Sequence, residues 1–169
     1  EIRYHDAVIA NAHVGRTLSV RPYFDPHVAV LKLFPGITRE VVDAVLSVPS
    51  LRGVVMETFG SGNAPMMPWF LDALRAAVAR GVVIVNVTQC VTGYVDMTRY
   101  ETGVLLEKIG LVSGRDATTE AALTKLMYLL GQGFSSEEVS RLMAIPLRGE
   151  MSLDQEMEGF SREISIYRR

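Results

Sequence analysis

The sequence predicts an α/β domain: a small open parallel β-sheet flanked by helices, a three-layer arrangement of the Rossmann/flavodoxin-like kind. Three observations carry that expectation. Apolar runs rich in valine recur at 28–34, 53–58 and 82–87, short enough for strands and apolar enough to be buried on both faces. Stretches with helical spacing separate them. The turns between are short and hold Pro or Gly, so consecutive strands should be joined by right-handed parallel crossovers.

Residues 1–28 are poorly periodic, and Pro22 and Pro26 bias their predecessors to extended backbone, so this part reads as a linker or the end of a preceding domain. The first strand, 28–34, carries one charge, Lys32, and stops at Pro35-Gly36. Thr38 offers an N-cap, Val41, Val42, Val45 and Leu46 recur at helical spacing, and Pro49 ends that helix. The second strand, 53–58, runs into a loop with Gly60 and Gly62 around Ser61. Residues 68–80 place Phe70, Leu71, Leu74, Ala77 and Val78 on one helical face, with Gly81 at the C-terminal position. The third strand, 82–87, is nearly all apolar. A helix at 101–110 and a short strand at 111–112 follow. Thr118 or Thr119 caps a further helix, and Ser135 and Glu138 have capping-box spacing for a last one at 136–144. The domain is expected to cover 29–150, with 151–169 as a charged tail.

At 169 residues and 49% hydrophobic, the chain has enough for one domain with a core. The net charge is −2 and no Lys/Arg cluster forms a stripe, so no nucleic-acid partner is expected. No apolar run approaches the roughly 20 residues that span a bilayer, so no membrane partner is expected either. One cysteine, Cys90, permits no internal disulfide, which fits a reducing compartment. The N-terminus has no apolar signal region and no initiator Met, and the chain is expected to begin partway through a longer protein.

The chemistry the residues suggest is sparse. The 60–63 loop follows a strand and precedes a helix, where open α/β sheets bind ligands. It lacks the dinucleotide glycine spacing and a phosphate-binding lysine. Two readings stay open: a ligand loop presenting the Asn63 amide, or a plain turn closed by Asn63 itself. Tyr100, between a loop and a helix, is either a proton relay or clamp, or a packing residue with a wet hydroxyl. Cys90 at a strand end reads as a small buried hydrophobe. His5, His13 and His27 all fall in the N-terminal connector and read as surface residues without a metal. Ser61 is not in a nucleophile elbow.

Four blocks taken together carry a family resemblance. Met56-Glu57-Thr58-Phe59-Gly60-Ser61-Gly62-Asn63-Ala64-Pro65, Val85-Asn86-Val87-Thr88-Gln89-Cys90, Tyr100-Glu101-Thr102-Gly103 and Thr119-Glu120-Ala121-Ala122-Leu123-Thr124-Lys125-Leu126 resemble the C-terminal domain of the cytoplasmic (type I) L-asparaginases, across roughly 28–150. The resemblance implies cofactor-free hydrolysis of asparagine to aspartate and ammonia in the cytoplasm. Its catalytic threonines, with an Asp and a Lys, belong to an N-terminal domain. The glycine-pair threonine motif and Thr-Asp-Thr of that domain are absent from this sequence. The chain is therefore expected to be inactive alone and to complete the site in a homodimer or homotetramer. By the same likeness Asn63 binds the amino acid head group of the substrate, or a catalytic residue beside it. Tyr100 reaches toward the nucleophile of the neighbouring subunit. Thr88 and Cys90 match a region where some bacterial members bind asparagine allosterically. Glu57 departs from those members, which carry an arginine there for the effector's carboxylate. A related alternative is the asparaginase-like subunit of glutamyl-tRNA(Gln) amidotransferase. A non-enzyme alternative is a free-standing flavodoxin-like binding or dimerisation module.

Overall fold

Valine-rich runs become strands here because each side of the sheet has an apolar layer for alternate side chains to enter. The computed structural model describes residues 18–91, 93–98 and 100–152. Four parallel strands, β1 (Val28–Lys32), β2 (Gly53–Thr58), β3 (Val83–Thr88) and β4 (Val112–Ser113), form one sheet in the order β1-β2-β3-β4. The crossovers are α1 (Arg39–Leu46), α2 (Pro68–Ala79) and α3 (Glu101–Ile109); α4 (Thr119–Gly131) and α5 (Ser136–Met143) follow. Val54, Met56 and Ile84 point into the layer of α1 to α3. Val55, Val83, Val85 and Val87 point into that of α4 and α5. Burying one such side chain contributes about 1.5–3 kcal/mol, so these two layers dominate the stability.

The expected elements are present, and two strands begin one residue later than expected. Val82 donates its amide to Ala77 and Leu111 donates its to Leu106, so both residues close the preceding helix before the strand begins. The Ser135–Glu138 capping box forms, and the Thr118 hydroxyl accepts from the Ala121 amide. Thr38 holds the N-cap position of α1 without its side chain capping a helix amide.

The strand order never reverses, so no crevice opens at a switch point of the kind that serves doubly wound sheets. The loops after β2 and β3 instead close over the carboxyl end of the sheet. Gly103, in the first turn of α3, lets this happen: a Cβ there would lie 2.7 Å from both Cα and O of Met97. Main chain cannot swing aside as a side chain does. Gly103→Ala is expected to cost about 1–3 kcal/mol, read as a lower denaturant midpoint at unchanged slope.

Both flanks of the domain are tied to α4. The Asp25 amide donates to Met127 O at 2.9 Å, Gln132 Nε2 to Tyr23 O at 2.9 Å, and Asp25 pairs with Arg52. On the C-terminal flank, Lys125 of α4 reaches through the core edge with 5% of its side chain exposed. Its Nζ donates to Met143 O and Ile145 O and sits 2.7 Å from Glu150 Oε1. Glu150 also accepts from the amides of Leu147 and Arg148. Met151 is buried, and the Ser152 amide donates to Asp116.

Candidate functional site

The loop after β2 is a closed bend. Phe59 and Asn63 exchange main-chain bonds, Phe59 N to Asn63 O at 2.9 Å and Asn63 N to Phe59 O at 2.8 Å. The turn is thus closed by backbone, and the Asn63 side chain is not needed for it. Among the described residues the half-buried Asn63 amide has no hydrogen-bond partner. Gly62 lies at φ 106°, and a Cβ there would stand 2.7 Å from Val95 Cγ1 and 3.2 Å from Asn86 Nδ2, so only glycine fits.

The loop after β3 meets it. The Asp96 amide donates to Ser61 O at 3.1 Å. Thr88, the last residue of β3, donates its hydroxyl to Gly60 O and accepts from the Cys90 amide. Asp96 accepts from the Thr98 amide and hydroxyl at 3.0 and 2.7 Å, which turns the chain toward α3. Tyr100 follows as the N-cap residue of α3, in extended backbone and 46% exposed. The loops that carry Asn63, Thr88, Cys90 and Tyr100 therefore form one bonded cluster at the carboxyl end of the sheet. A cleft of about 900 Å3 opens beside it, lined by Tyr94, Asp96, Thr98, Ser113 and Arg115 among others.

Cys90 corrects an expectation. It is exposed, not a buried hydrophobe, because the strand ends at Thr88 and the chain turns outward, the Gly93 amide closing back on Cys90 O. Of the histidines, His5 and His13 lie outside the described residues; His27 is exposed and bonded to Asp25. A cavity of about 430 Å3 between 19–24 and α4, lined by Phe24, Lys125, Tyr128 and Phe134, lies in the other helical layer and away from this cluster.

Sequence reading passed over the polar groups that hold the loops. Thr58 and Asn86 are both fully buried; Thr58 Oγ1 lies 2.6 Å from Asn86 Oδ1, and Asn86 Nδ2 donates to Gly62 O at 3.2 Å. Gln89 Nε2 donates to Leu33 O at 2.7 Å and Glu57 O at 2.9 Å, fastening the ends of β1 and β2. The available signal was a single amide, Asn86, inside an otherwise apolar strand. Glu57 is also committed internally: Thr119 Oγ1 donates to it at 2.7 Å and Lys32 Nζ stands 3.0 Å away. The Thr119 bond, against burial and with Lys32, holds its carboxyl below the usual 4.5.

Residues 27–143 match the family model of the glutaminase/asparaginase C-terminal domain. The chain belongs to that family. It is 48% identical over 137 residues to the 60 kDa lysophospholipase of Mus musculus, covering 80% of this chain and 24% of that protein. It is 36% identical over 157 residues to a glutamyl-tRNA(Gln) amidotransferase subunit of Metallosphaera sedula, covering 92% of this chain and 35% of that protein. Among solved structures, L-asparaginase I of Vibrio cholerae superposes with a TM-score of 0.77 at 45% identity, over 82% of this chain and 42% of that one. This glutaminase/asparaginase C-terminal domain thus spans a quarter to two-fifths of the relatives it matches, and their additional length lies outside it.

Proposed function

We propose that this domain forms the C-terminal half of a cytoplasmic L-asparaginase and completes an active site whose nucleophilic threonine lies in an N-terminal domain. In this reading the enzyme is a homodimer or homotetramer, and each site draws on the C-terminal domain of the neighbouring subunit. The single observation that carries it is the Asn63 amide: half-buried, held by a backbone-closed bend, and without a partner among the described residues. An amide offers both donor and acceptor, which suits an amino acid head group bearing ammonium and carboxylate. Holding that group in register converts a bimolecular attack into an oriented one. Tyr100 contributes a hydroxyl to proton traffic around the threonine.

The test is ammonia release from asparagine by this chain with and without the N-terminal domain; release only from the pair supports the proposal. Lysophospholipid and glutamine serve as competing substrates, the first because of the mouse relative's name. In the complete enzyme Asn63→Ala is expected to raise KM about ten- to a hundredfold, the loss of one hydrogen bond to a charged group. Unchanged kinetics would remove Asn63 from the site.

The amidotransferase reading is the second, favoured by the Metallosphaera relative. The net charge of −2 gives it little electrostatic purchase on RNA. Ammonia transfer to charged tRNA by an assembled complex would establish it. Regulation by asparagine at Thr88 and Cys90 extends the first reading. Glu57 stands against it, since a carboxylate in place of the arginine of the allosteric bacterial members would repel the effector's carboxylate. Rate curves in asparagine are therefore expected to be hyperbolic; sigmoidal curves abolished by Thr88→Val would assign the effector site.

A further inference from the structure

We propose that Asn86 is a positioning residue for the site, fixing the loop of Asn63 against the segment that leads to Tyr100. The inference rests on the reading of Asn63 and Tyr100 given above. Asn86 lies in the third strand with no exposure, on the face where Val54, Met56 and Ile84 meet the crossover helices. A buried amide at such a depth is unfavourable unless it is fully bonded. Its side chain bonds to the end of β2, at Thr58, and to the loop that follows it, at Gly62. Gly62 O can only accept, so the amide nitrogen must face it, and Oδ1 then faces the Thr58 hydroxyl at 2.6 Å, which also lies 3.0 Å from Val87 O.

The same residue also closes the circuit through its main chain. The Gly114 amide donates to Asn86 O at 2.8 Å. From there Ser113 Oγ donates to Val95 O at 3.0 Å, and the Val95 amide to Arg115 O at 2.9 Å. The next residue, Asp96, donates its amide to Ser61 O, beside Gly62. Side chain and carbonyl of one asparagine are thus the two ends of a ring: strand, Asn63 loop, Tyr100 segment, turn after the short edge strand, and back. An aliphatic side chain would pack at this position and leave Gly62 O without its donor. Polar networks of this kind specify geometry more than they add stability. The geometry specified here is the spacing of the two loops that present an amide and a phenol.

Asn86→Asp tests this in the complete two-domain enzyme, because it keeps the shape and the acceptor for Thr58 but puts a carboxylate oxygen against Gly62 O. Val55→Ala serves as the control for lost stability, its side chain lying in the layer of the last two helices. The readouts are amide hydrogen exchange and steady-state kinetics, each alone and in an Asn63→Ala background. The expected result is faster exchange at Gly62, Asn63 and Asp96 with unchanged protection at Ile84 and Val85. It is accompanied by a loss in kcat/KM of about ten- to a hundredfold, and by a much smaller loss when Asn63 is already alanine. Unchanged exchange at those three amides overturns the ring. Faster exchange with kinetics equal to Val55→Ala, while Asn63→Ala alone is impaired, overturns the positioning role and leaves the proposed function standing. Normal kinetics of Asn63→Ala alone overturns the site reading and this inference together. If Asn86→Asp does not fold, Thr58→Val, which removes the hydroxyl that engages Asn86 Oδ1 and Val87 O, takes its place with the same outcomes.

Discussion

Tyr100→Phe in the complete enzyme is expected to lower kcat about a hundredfold, within the range for losing a positioned proton-transfer group. The substitution keeps the ring and removes one oxygen. Tyr100 is 46% exposed, so the loss of its hydroxyl leaves no large buried group stranded, and folding stability is expected to stay within about 0.5 kcal/mol. KM is expected to change little, because the proposal gives head-group binding to Asn63. A fall in kcat with KM constant marks an interaction made in the transition state. Wild-type kcat in this variant would take the hydroxyl out of the proton path and reduce Tyr100 to a packing residue.

Lys125→Met is expected to cost about 3 kcal/mol of folding stability, the penalty for breaking a buried ion pair from one side. Met fills the channel left by the lysine stem but offers nothing to Met143 O, Ile145 O or Glu150. The accompanying variant Lys125→Met with Glu150→Gln is expected to recover part of the loss, since the stranded charge is removed. The acid limb checks the same pair. Burial pulls the Glu150 carboxyl upward, but Lys125 and the amides of Leu147 and Arg148 outweigh it and hold it below 4.5. The unfolded chain therefore binds more protons than the folded one as pH drops below 4.5. The stability this group contributes is complete above that value and is lost as pH falls through the lower folded value. In Lys125→Met this acid-limb loss is expected to shrink, because without the ammonium burial brings the folded carboxyl back up and protonation relieves the stranded charge. Lys125 itself works the other way: burial lowers it from 10.5, so the folded state carries a cost below the lowered value that is relieved as pH rises toward 10.5. Urea midpoints measured from pH 3 to 8 on both proteins check the acid limb.

The sheet was legible because its signals are local. Val54 and Val55, like Val83 and Ile84, announce burial on both faces without knowledge of what covers them. Thr118 and the Ser135–Glu138 pair announce helix starts within four residues. What escaped depends on residues far apart in sequence. Lys125 sits on a helix pattern where a lysine reads as solvated; only the return of 143–150 across α4 buries it. Cys90 reads as buried because it follows a buried strand, yet that strand ends two residues earlier, at Thr88. Asn86 was visible as a polar interruption, but its partners Thr58 and Gly62 lie 28 and 24 residues away. Glu57 reads as an unpaired carboxylate until Lys32, its neighbour across the strand pair, and Thr119 are brought to it. Periodicity reports burial, and long-range polar pairing follows only from the topology.

An unreversed strand order also decides what the chain faces while it is being made. All three crossovers lie on one side, so a nascent chain that has left the ribosome as far as Ser113 can already assemble the sheet and that side. Its other side then presents Val55, Val83, Val85 and Val87 to water until α4 and α5 emerge. The α4–α5 segment is in that sense a lid synthesised late, and shortened products ending before Thr118 are expected to be captured by chaperones or to aggregate through that valine face.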